Sequence, residues 1–142
     1  QTQLHRNDVS DFSVDNHDLE IEVQVENKEA CPRYCAVSLT GCEIKESPKW
    51  LQDKLRTIGV RPINNIVDIT NYIMFAYGQP LHCFDADMVK GQKIVVKTLP
   101  SGTPFTTLDG VEHKLDEKDL MICNAEEPMC IAGVFGGKGA GT

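Results

Sequence analysis

The sequence predicts a fold of both strands and helices, mostly β in its second half. Three observations carry this: a period-two strand pattern near the N-terminus, two adjacent helical patterns in the middle, and a second half of short apolar runs separated by turn signals. The 142 residues are 41% hydrophobic and 25% charged, which suits one domain able to bury a core without disulfide or metal staples.

Gln1 to Asp18 show no periodicity and read as a linker. Leu19, Ile21, Val23 and Val25 then alternate with Glu20, Glu22, Gln24 and Glu26, the pattern of a half-buried strand. A second alternation, Cys35, Val37 and Leu39 against Ala36, Ser38 and Thr40, predicts another strand ending at Gly41. Ser47 and Pro48 supply a cap and a first-turn proline, after which Trp50, Leu51, Leu55 and Ile58 share one helical face before Gly59. The next helix starts at Asn64 or Asn65, turns Ile66, Ile69, Ile73 and Tyr77 inward, and closes at Gly78 and Pro80. Ile94, Val95 and Val96 predict a strand, and Asp109-Gly110 a hairpin turn between Phe105-Thr106-Thr107 and Val111. Leu120 to Cys123 and Met129 to Phe135 are short buried runs, the second leading into Gly136-Gly137. No element closes the fold at Thr142, so the polypeptide is expected to be cut there.

Fourteen Lys and Arg against 21 Asp and Glu give a net charge of -7, and no basic stripe is present to track a phosphate backbone. An RNA partner would therefore be met at a terminus or a single nucleotide. The six cysteines are irregularly spaced and no apolar signal segment precedes them, so they are expected to be reduced and mostly buried. Cys31, Cys35, Cys42 and the His82-Cys83 pair raise a zinc site, but without a CxxC pair no metal is expected. No run approaches the ~18 apolar residues of a membrane span, so a soluble chain without a membrane partner is expected.

Uncommon polar residues concentrate in NNIVDITNYIMFAYGQPLHCFDAD, residues 64–87. His82 is the group there that titrates near neutrality. Taken alone, a histidine beside Leu81 and Phe84 reads first as structural, and Gly133, Gly136 and Gly137 as turn residues or as backbone that a ligand approaches closely. The glycines match no nucleotide-binding loop, and no local motif marks a serine or cysteine nucleophile, so water would have to attack in any hydrolysis.

Taken together and in order, CPRYCAVSLTG, ESPKWLQDKLRTIGVRPINNIVDITNYIMFAYGQPLHCFDAD, TLDGVEHKL and IAGVFGG resemble the editing region of bacterial phenylalanyl-tRNA synthetase β subunits. The resemblance implies a B3/B4-type α+β domain over residues 30–142, truncated at its C-terminus, with residues 1–29 as linker from a preceding domain. It implies hydrolysis of tyrosine misattached to the phenylalanine tRNA, with aminoacylation left to the α subunit of an α2β2 cytoplasmic ligase that uses ATP and magnesium. The piece itself would need no cofactor. Carried over, His82 is the catalytic candidate and orients or deprotonates the attacking water or binds near the terminal ribose, Thr70 and Asn71 hold the amino acid or ester, and Ala132, Gly133, Gly136 and Gly137 form the pocket wall. The acidic residue that reads the tyrosine hydroxyl in the family would fall after Thr142. The competing expectation is a non-catalytic RNA- or protein-binding scaffold of the same fold.

Overall fold

The computed structural model describes residues 8–139. Seven strands and two α-helices follow one another as β1 Glu22–Val25, α1 Lys49–Thr57, α2 Asn65–Tyr77, β2 Lys93–Thr98, β3 Pro104–Thr106, β4 Glu112–Lys114, β5 Leu120–Cys123, β6 Pro128–Ile131 and β7 Phe135–Gly136. Two short 3-10 turns, Ala86–Met88 and Lys90–Gln92, lead into β2. The main sheet has the order β1-β2-β5-β6-β7, and β3 and β4 form a separate hairpin. β1 and β2 run parallel with Val23 opposite Ile94, while the remaining neighbours are antiparallel.

β2 is β-branched because both its faces are covered. Ile94 and Val96 join Val89, Ile122, Met129 and Cys130 on one side, with Val23, Val25, Tyr34 and Phe84 packed around them. Val95 points the other way, into a cluster with Phe105, Leu115, Met121 and Cys123. The β3–β4 hairpin thus caps the second face through Phe105, and the turn at Asp109-Gly110 forms where the sequence predicts it. Val96 and Met121 are fully buried, which contributes about 1.5–3 kcal/mol for each side chain.

α1 and α2 pack chiefly on each other. Trp50 meets Tyr72 edge-on, with ring centroids 5.8 Å apart. Asn64 caps α2 by accepting from the Val67 amide, and Gly78 ends the helix in the left-handed conformation at φ 71°. Asp68 is wholly buried: it accepts the Ser47 hydroxyl at 2.5 Å and the Ile63 amide at 2.8 Å, tying the start of α1 to the connection before α2.

Several expectations are corrected. Residues 35–39 form no strand, because a period-two pattern describes a surface suited to pairing and does not supply the neighbour that pairs with it. In α1, Pro48 takes the cap position while Ser47 serves Asp68 instead, and the buried residues are Leu51, Gln52 and Leu55, with Trp50 and Ile58 exposed. In α2 the buried residue is Asp68; Ile69 and Tyr77 face solvent, because the helix packs chiefly on α1. Met129 to Phe135 divides into β6 and β7 around a turn at Gly133, whose φ is 70°. Of the cysteines only Cys123 and Cys130 are buried, since only these lie on central strands. By contrast, the strand expected from the alternation of Leu19 to Glu26 forms as β1, within the expected linker 1–29, of which residues 1–7 lie outside the described residues.

Candidate functional site

After Gly78 the chain leaves α2 and runs extended past Pro80 to His82 and Phe84. Phe84 packs on the core around Val96 and holds the His82 ring beside it, centroids 4.5 Å apart at a tilt of 49°. The imidazole also approaches Gly136 in β7 through its Cε1. A Cβ on Gly136 would stand 3.0 Å from His82 Cε1 and 2.9 Å from Leu108 Cδ1, so only glycine leaves these side chains undisturbed.

Leu108 reaches this place because the β3–β4 hairpin is fastened to the sheet edge. Its amide donates to Gly136 O at 3.0 Å, Lys138 N donates to Thr106 O at 2.9 Å, and Thr107 bridges to Gly137. Thr107 is braced by hydrogen bonds from its hydroxyl to Asp109 Oδ1 and Val111 O. Gly137 serves the packing of the strand instead. A Cβ there would meet Met129 O at 2.7 Å and Phe105 Cζ at 2.8 Å, so its absence lets β7 close onto the core.

The His82 ring remains partly open to water, yet the surrounding protein desolvates it enough to push its pKa below the ordinary imidazole value. The imidazole is therefore neutral at pH 7 and has a free lone pair with which to take a proton.

Among the expected site residues the structure brings His82 and Gly136 into contact, with Gly137 beside them. Ala132 is half-buried and donates its amide to Leu120 O at 2.9 Å, and the Gly137 amide donates to Met129 O at 2.7 Å. Gly133 sits exposed at the β6–β7 turn, and its amide makes no hydrogen bond to another described residue. Thr70 and Asn71 lie half-buried on α2; the Thr70 hydroxyl donates to Val67 O at 2.7 Å, and no hydrogen bond joins either residue to His82. Leu108 is an addition that sequence reasoning missed, whereas Phe84 is visible as a neighbour of His82 in sequence and packs beside its ring. TLDG signals a turn, but nothing local in it shows that Leu108 would dock at Gly136.

Among the described residues no group of three or more His, Cys, Asp or Glu is placed to hold a metal ion. An open depression of about 340 Å3, lined by Asn27, Glu29, Ala30, Thr98, Glu117 and Lys118, lies by the β1 and β2 ends and not at His82. No described helix is long and apolar enough to cross a membrane.

A sequence model of the B3/4 domain matches residues 30–142. The chain belongs to the B3/4 domain family. This B3/4 domain is similar to the phenylalanine–tRNA ligase β subunit of Bacteroides thetaiotaomicron, with 67% identity over all 142 residues, covering 17% of that relative. The corresponding subunit of Bacteroides fragilis is 65% identical over the same 142 residues, again 17% of its length. That of Carboxydothermus hydrogenoformans is 42% identical over 128 residues, which cover 90% of this B3/4 domain and 16% of the relative.

Proposed function

We propose that this B3/4 domain works within a phenylalanine–tRNA ligase β subunit as the module that hydrolyses tyrosine misattached to the phenylalanine tRNA. The observation that carries the reading is the neutral His82 imidazole held against the Gly136 backbone, in a chain 67% identical to such a subunit. Tyrosine differs from phenylalanine by one hydroxyl, which an apolar pocket rejects by only about a hundredfold, so a second, hydrolytic sieve has work to do.

In this reading His82 accepts a proton from water as the water oxygen attacks the ester carbonyl. The Gly133 amide, which makes no hydrogen bond to another described residue, donates to the carbonyl oxygen as it gains charge. The bond to the terminal ribose oxygen then breaks, that oxygen takes the proton back from His82, and tyrosine and free tRNA are released. Thr70 and Asn71 hold the amino acid or ester, and Ala132, Gly136 and Gly137 form the wall. The acceptor end of the tRNA is the contact, consistent with a net charge of -7 that offers no broad phosphate-binding face. Aminoacylation with ATP and magnesium belongs to an α subunit in an α2β2 cytoplasmic assembly.

A second reading, a non-catalytic RNA- or protein-binding scaffold, draws on one observation: the Thr70 hydroxyl is committed to Val67 O and no hydrogen bond ties it to His82. Tyrosine release from preformed tyrosyl-tRNA(Phe) by the assembled enzyme separates the two. With His82→Ala, release is expected to slow by about a hundredfold while phenylalanine charging is unchanged. Unaltered release would favour the scaffold.

A further inference from the structure

Residues 35–41 have the sequence of a strand and the surroundings of a loop. Cys35, Val37 and Leu39 repeat with period two, yet Val37 and Leu39 are each 70% exposed. No backbone group of residues 36–42 is hydrogen-bonded to another described residue. The segment is nevertheless held at both ends. Tyr34 packs on the core cluster around Val96. At the other end Asn65 takes the Lys45 amide on its side chain at 3.1 Å, donates its own amide to Lys45 O at 2.9 Å, and donates its side-chain amide to Glu43 O at 3.0 Å.

An extended segment pinned at both ends, with β-branched side chains and free backbone groups, is a template for strand addition. The helix that begins at Asn65, which holds the segment's far end, has the same incompleteness: α2 reads NIVDITNYIMFAY and leaves Ile69, Phe75 and Tyr77 exposed while burying Asp68. Apolar exposure on this scale marks surface that another element covers.

We propose that residues 35–41 are a sheet strand whose partner is a β-strand from the same subunit polypeptide, lying outside the 142-residue stretch. The relatives supply the occupant, because the whole of this chain aligns to only 17% of each Bacteroides subunit and most of their polypeptide lies elsewhere. A strand on the same chain arrives at high effective concentration. A second copy of this domain is disfavoured, since it would bring a charge of -7 against a charge of -7. The inference concerns architecture and stands whether or not His82 hydrolyses an ester.

Amide hydrogen exchange on the full-length β subunit in its assembled enzyme tests the pairing, and a photo-crosslinking residue placed at Ser38 identifies the occupant. The expected result is exchange over residues 36–40 slowed by on the order of a hundredfold or more against coil rates, with a crosslink to a peptide of the same subunit outside residues 1–142. Coil-like exchange at residues 36–40 would overturn the proposal. A crosslink to the α subunit, to tRNA or to a second β subunit would overturn it equally.

Discussion

Replacing Gly136 with alanine adds one methyl group where β7 meets the His82 ring. The new Cβ would stand 2.9 Å from Leu108 Cδ1 and 3.0 Å from His82 Cε1. Carbon atoms settle at about 3.5–4.0 Å, so both neighbours must give way by roughly half an ångström to an ångström. Leu108 is 53% exposed and can swing outward, but the His82 ring is backed by Phe84 and must slide along it. Gly136 is absent from the positive-φ positions, so alanine adds no backbone strain, and the cost to the fold stays at or below the ~1–3 kcal/mol typical of overpacking. Displacing a positioned group by about 1 Å costs on the order of a hundredfold in rate. Tyrosine release from tyrosyl-tRNA(Phe) is therefore expected to fall by about that factor, with phenylalanine charging unchanged and the melting temperature lowered by less than in Gly137→Ala. Gly137→Ala is the contrasting case: its Cβ would strike Met129 O at 2.7 Å and the Phe105 ring at 2.8 Å, neither free to move, so it should lower the melting temperature by several degrees. Wild-type release from a folded Gly136→Ala enzyme would show that the position of the His82 ring does not govern hydrolysis.

Asp68→Ala removes the acceptor for both the Ser47 hydroxyl and the Ile63 amide, and should cost about 3 kcal/mol in urea unfolding; a loss under about 1 kcal/mol would mean that the carboxylate does not hold the helix pair. Because the fold keeps the His82 pKa below 6.5, the unfolded chain takes up this proton first as pH falls through 6.5, so this histidine's contribution is a loss of stability there that His82→Ala abolishes. The same depressed pKa predicts a tyrosine-release rate that is flat above pH 7 and declines only below the ordinary imidazole range; a rate still rising between pH 7 and 8 would assign the proton transfer to another group.

Elements whose signals are local were legible in the sequence. Asn64 and Gly78 bracket α2 through their own capping chemistry, Asp109-Gly110 makes its turn, and the β-branched run at 94–96 becomes the central strand. What the sequence hid was partnership. The face a helix buries depends on what lies opposite, and α2 lies on α1, so Ile69 and Tyr77 stayed outside while Asp68 went in. Ser47 looked like a cap because the local pattern has no knowledge of a carboxylate 21 residues away. At the candidate site, His82 and the glycines stood out as residue types, but their meeting through Leu108 and the hairpin is a long-range event that no spacing encodes.

The parallel pairing of β1 with β2 sets an order on folding. β5, β6 and β7 are antiparallel neighbours joined by short connections, β2 pairs with β5 across the β3–β4 hairpin, and Ile122, Met129 and Cys130 can gather as soon as those strands exist. β1 must instead wait across the entire helical half of the chain before Glu22 finds Lys93. The entropic cost of that closure grows only logarithmically, by about 0.6 kcal/mol per doubling of the loop, so the contact is thermodynamically easy yet kinetically late. β1 behaves as a latch: last to close, first to open, and in native-state exchange its amides should be lost before those of β5 and β6.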